Sequence, residues 1–142
     1  MGASSSKESF PKEGVQLIAS DSNPIVTDVV PASITYRNFR SPHKSSKFLR
    51  VGRSGSLAVT DQRLVAYIGS SRQVNVQFDD ARLAEMTFSV QENGEFLSIQ
   101  HNAALFQPAW KGSVEIRFKT KQANEIHNRI QQAAMIIARP QS

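Results

Sequence analysis

Six basic residues, Arg37, Arg40, Lys44, Lys47, Arg50 and Arg53, share a stretch of the chain that contains no Asp or Glu. The whole sequence carries 17 Lys and Arg against 12 Asp and Glu, a net of +5, and the part outside this stretch is close to neutral at −1. The positive charge is therefore concentrated in one place. A local cation cluster draws phosphates, anionic lipid or an acidic protein partner. Tyr36, Phe39 and Phe48 interleave with the cations, so nucleic acid is a third candidate, with rings stacking on bases and cations holding phosphates. No nucleic-acid motif accompanies the cluster, which ranks that partner behind the other two.

Other chemistry is sparse. There is no cysteine, which excludes disulfides and thiolate catalysis. His43, His101 and His127 are far apart, share no ligand-like spacing, and read as surface or edge residues. No glycine-rich phosphate loop, Gly-x-Ser-x-Gly or His-Glu-x-x-His occurs. Asp79 and Asp80 are adjacent, which suits a tight turn better than an acid/base pair. The expectation is a non-catalytic protein with no cofactor and no metal. At the N-terminus, Met1-Gly2-Ala3-Ser4-Ser5-Ser6 matches the N-myristoylation pattern at Gly2. A plain serine-rich tail is the other reading. One acyl chain anchors only marginally and needs a second signal such as a basic patch, which this chain has. No apolar run approaches the roughly 20 residues of a membrane-spanning helix, and no secretory signal core is present. The expected location is the cytoplasm, with a peripheral position at the cytosolic face of a membrane.

The elements that would hold the cations follow from periodicity. Residues 1–9 read as a flexible tail and 10–32 as an extension of unsettled structure. Alternation of apolar and polar residues marks strands over 33–39, 56–60, 63–69, 73–78, 83–91, 95–100 and 113–119. Asp61-Gln62 and Asn93-Gly94 are the turns of two hairpins. The basic stretch, with Pro42 and several serines, reads as a long loop between the first two strands. From 121 to 138 the period becomes 3.6, and Ile126, Ile130, Ala133, Ala134 and Ile137 form one stripe of a helix capped by Thr120. Residues 139–142 form a short tail. A mainly β domain over 33–138 is expected, a partly open barrel of about seven antiparallel strands capped by a C-terminal helix.

Seven strands followed by a helix resembles the pleckstrin-homology (PH) superfold. The run Gly55-Ser56-Leu57-Ala58-Val59-Thr60-Asp61-Gln62-Arg63-Leu64-Val65-Ala66-Tyr67 sharpens the likeness toward GRAM and bacterial PH-like domains. In that hairpin Thr60 and Asp61 would bond back to the turn, Arg63 would reach the Asp or nearby carbonyls, and Leu64 would enter the core. The resemblance departs from eukaryotic PH domains in the terminal helix, which lacks their usual tryptophan. It implies a phosphate-facing mouth made by the first, third and sixth inter-strand loops. That mouth would gather Lys44, Lys47, Arg50, Arg53, Arg72 and Lys111, with Arg37 and Arg40 at its strand edge and Phe48 and Trp110 as membrane wedges. Because the strand after the basic loop supplies no Lys/Arg-x-Arg, general attraction to anionic phospholipid is expected rather than stereospecific phosphoinositide reading. A protein-interaction adaptor on the same scaffold is the alternative.

Overall fold

The computed structural model describes residues 10–138, with side chains through Ala133. A short helix, α1 (Lys12–Leu17), is followed by eight strands: β1 (Ile25–Val26), β2 (Val30–Ser41), β3 (Lys44–Val59), β4 (Arg63–Ile68), β5 (Ser71–Gln77), β6 (Thr87–Gln91), β7 (Phe96–Asn102) and β8 (Lys111–Lys119). A final helix, α2 (Ala123–Ala138), closes the chain order. Seven of the strands form one antiparallel path, β5-β4-β3-β2-β8-β7-β6, and β1 adds a two-residue pairing on β3. The sheet curls into a half-barrel that is open between β5 and β6. Its interior is built from the alternate residues of each strand, including Leu57, Val59, Leu64, Val74, Val76, Leu97, Ile99, Ile116 and Phe118, all at most 1% exposed. Ile126 and Ile130 of α2 close one end. The Thr120 hydroxyl accepts from the Gln122 N–H just ahead of that helix. None of the described helices is long and apolar enough to cross a membrane.

The largest departure from the expected arrangement lies in the basic stretch. It is not a loop. β2 and β3 run on as a paired ribbon to Ser41 and Lys44, in unbroken register from Val30↔Gly55 to Ser41↔Lys44. Only Pro42 and His43 make the turn, where proline's fixed φ suits the first corner. Polar residues can form the outer part of β3 because it is mostly exposed, and its hydrogen-bonded ladder to β2 needs no apolar side chains.

A bulge bends the ribbon. β2 slips by one residue against β8 between Arg37 and Arg40. Asn38 sits at φ +51° and Gly112, opposite it, at φ +99°. A Cβ on Gly112 would stand 2.5 Å from the Asn38 carbonyl oxygen, so only glycine fits there without a shift. The bulge places Tyr36 and Phe39 on the same side, with ring centroids 4.7 Å apart, and Phe39 enters the core.

The segment before β2 is bound to the outside of the sheet. Ile18 packs with Ala58, Val65 and Tyr67, joined by Phe10 and Leu17. The Tyr67 hydroxyl donates to Glu13 Oε2 at 2.8 Å. Thr60 Oγ1 accepts from the Gln62 and Arg63 N–H groups, the turn bonding expected of it. Arg63, however, reaches Asp21 at 2.8 Å instead of Asp61. Leu64 enters the core as expected. The Asn93-Gly94 hairpin is present between β6 and β7. Its connection has four residues in place of two, because Glu92, Asn93 and Gly94 all take positive φ.

Candidate basic interface

The ribbon spreads the predicted cations along its length instead of collecting them at one mouth. At about 3.3 Å per residue, the nine steps from Lys44 to Arg53 cover roughly 30 Å. Arg40, at the tip, stands opposite both Ser45 of β3 and Lys111 of β8. Arg40, Lys47 and Lys111 line one groove of about 540 Å³ with Asn38, Phe39, Ser45 and Ser46. No acid lines this groove. Further down the ribbon, Arg50 donates from Nε to Thr35 Oγ1 at 3.0 Å. Arg53 lies opposite Ala32, its nearest acceptor the Gly52 carbonyl at 3.4 Å. None of Arg40, Lys44, Lys47, Arg50, Arg53 and Lys111 makes a salt bridge among the described residues.

Two expected members are engaged elsewhere. Arg37 pairs with Glu115 at 3.1 Å. Burial works against the Glu115 charge, but hydrogen bonds from Ser98 and Arg37 outweigh it and hold the carboxyl below its usual range. Arg72 pairs with Glu13 at 3.0 Å and lines a separate cavity of about 230 Å³ beside Tyr36, His101, Gln107 and Trp110. The aromatic pair also divides. Phe48 is 58% exposed, with the Arg37 guanidinium 5.9 Å from its ring centroid. Trp110 is half-buried and set edge-on against Phe39 at 5.1 Å, packed on the core. It lines the cavity that holds Tyr36, Arg72 and His101. Gly2 lies outside the described residues.

His101, expected at the surface or an edge, is only 9% exposed and lies in β7, which is paired on both sides. Its Nδ1 lies 2.7 Å from the Asn102 carbonyl, which only accepts, so Nδ1 carries the proton. Nε2 has no partner among the described residues, and the ring stands edge-on to Phe106 at 5.0 Å. Burial pushes the imidazole below its usual pKa, partly offset by the Asn102 bond. The readable signal was its place in β7, two residues after Ile99 and four after Leu97 on the inward face. Among the described residues no group of His, Asp and Glu is placed to hold a metal ion.

The mainly β half-barrel with its C-terminal helix is the architecture that the PH resemblance implies. No protein-family model matches the chain, and no curated protein matches it. A solved structure described as Vav1 inhibited by an allosteric inhibitor is similar over 87% of this chain at 14% identity, with a TM-score of 0.42. The chain spans 29% of that protein's length.

Proposed function

We propose that this is a non-catalytic PH-like module, of the GRAM or bacterial PH-like kind, that brings its chain to an anionic phospholipid surface. The observation that carries this reading is the projecting β2–β3 ribbon. It carries Arg40, Lys44, Lys47, Arg50 and Arg53 along its length, with Lys111 of β8 opposite Arg40; none has an acidic partner among the described residues, and Phe48 stands exposed among them. Each basic residue near an anionic bilayer contributes about 1 kcal/mol, and an exposed ring adds headgroup contact. Because the cations are spread along a ribbon, the reading is electrostatic docking, with phosphoinositide headgroups attracted as part of the surface. An acyl chain at Gly2 would supply the second anchor; incorporation of labelled myristate at Gly2, and its loss in Gly2→Ala, checks that point.

The test is co-sedimentation with vesicles of graded anionic content at two salt concentrations. Bound protein is expected to rise with anionic fraction and fall with salt. The combined variant Lys44→Glu, Lys47→Glu, Arg50→Glu and Arg53→Glu is expected to stay in the supernatant. Binding that ignores anionic content would end this reading.

A further inference from the structure

The ribbon has a second property that does not depend on lipid. β4 pairs with β3 only over residues 55–59, so residues 44–54 have no strand on that side among the described residues. Seven of those eleven residues are exposed, and none is acidic. In an antiparallel strand the N–H and C=O of one residue point to the same edge, and successive residues alternate. Leu57 exchanges bonds with Thr27, on the β1 and β2 side. Ser54 gives its carbonyl to the Gly69 N–H, on the β4 side. Phe48, Arg50 and Gly52 have the parity of Ser54, so their backbone groups face the open edge. Two of the outward carbonyls meet only local side chains: Phe48 accepts from Ser46 at 3.0 Å, and Gly52 lies 3.4 Å from Arg53 Nη1.

We propose that the open edge of β3, centred on Phe48, Arg50 and Gly52, takes an extended acidic polypeptide segment as an added strand. Backbone pairing supplies the binding, and the cations select the partner. A second copy of this chain would set Lys and Arg against Lys and Arg, which is destabilising across a strand pair. A bilayer attracts the cations but offers no backbone to pair, and unpaired N–H groups in hydrocarbon are costly. An extended segment in which Asp or Glu alternates with apolar residues satisfies both needs, its acids on the face that carries Lys47 and Arg53 and its apolar residues on the face that carries Phe48.

Gly52 offers a test that leaves every charge in place. A Cβ there meets nothing within 4 Å, and Gly52 lies opposite Ser33 without serving the β2 ladder. Proline at 52 removes one outward N–H and fills the edge. The probe is a synthetic peptide of alternating Glu and Val, with a Lys and Val peptide as control, added to the full chain. Amide exchange should slow at Phe48, Arg50 and Gly52, while Leu49 and Val51, already paired with β2, stay unchanged. Gly52→Pro should weaken binding of the acidic peptide by about tenfold or more, the equivalent of one to two lost hydrogen bonds, and Gly52→Ala should bind like the wild type. Gly52→Pro should still sediment with anionic vesicles, so this proposal and the lipid reading fail separately. Wild-type exchange unchanged at the three amides, or Gly52→Pro binding the peptide undiminished, overturns the proposal. So does protection of those amides without peptide that grows with protein concentration, which would give the edge to a second copy.

Discussion

β3 is two strands in one. Residues 55–59 are buried, flanked by β4 on one side and by β1 and the start of β2 on the other, and supply Leu57 and Val59 to the core. Residues 44–54 have a partner on one side only and are mostly exposed. The first part is held by burial of apolar area, the second by a single hydrogen-bonded ladder. Sequence composition follows that division, with Leu-Ala-Val in one part and Lys, Arg and Ser in the other. Stability and recognition are thereby separated along one continuous strand, and a substitution should affect one without the other.

The contrast is widest between Leu57 and Phe48. Leu57 is fully buried among core residues of facing strands, so Leu57→Ala should cost about 2–5 kcal/mol in urea unfolding. Phe48→Ala should change stability by no more than about 0.5 kcal/mol, while reducing the fraction of protein bound to anionic vesicles. Equal stability losses at the two positions would mean that the ribbon is part of the core unit and the division is false.

Gly112 tests the bend within the outer part, where β8 meets β2 near the tip. At φ +99°, with the Asn38 carbonyl 2.5 Å from any Cβ, alanine brings both strain and a clash. Gly112→Ala should destabilise by about 1–3 kcal/mol and disturb the Arg40–Lys111 pairing at the groove. A fully stable Gly112→Ala protein with unchanged amide shifts in β2 would show that the bulge is not needed to turn the ribbon.

The parts of the fold that bury one face were legible. Val74, Val76 and Phe78, then Val114, Ile116 and Phe118, alternate in sequence and all face the interior, and the helical stripe of Ile126 and Ile130 is buried as its period implies. Where no face is buried, the period that reveals a strand is absent. That is why residues 40–54 read as loop although they pair in register. The basic residues were found from composition alone, but their grouping was not, since the extended ribbon sets their spacing. Arg37 and Arg72 are matched with Glu115 and Glu13, acids 78 and 59 residues away in the chain, and no local pattern announces such pairs.

His101 gives the smallest effect and bears on the barrel mouth rather than the ribbon. Its pKa is lowered in the folded state, chiefly by burial. The unfolded chain therefore takes up a proton first as pH falls through the ordinary value of 6.5. Stability contributed by the neutral ring is complete above that value and is lost progressively below it. Glu115 has the same sense in a lower window, because its lowered pKa makes its contribution vanish only as pH drops through and below the usual 4.5. Urea midpoints at pH 7.5 and 5.5 should thus differ for the wild type, with the lower pH less stable. In His101→Gln, which cannot titrate, that difference should shrink. An undiminished difference in the variant would assign the pH dependence to another group, and the orphaned Nε2 would then have a partner, such as a bound water, that keeps the ring's titration the same in folded and unfolded chains.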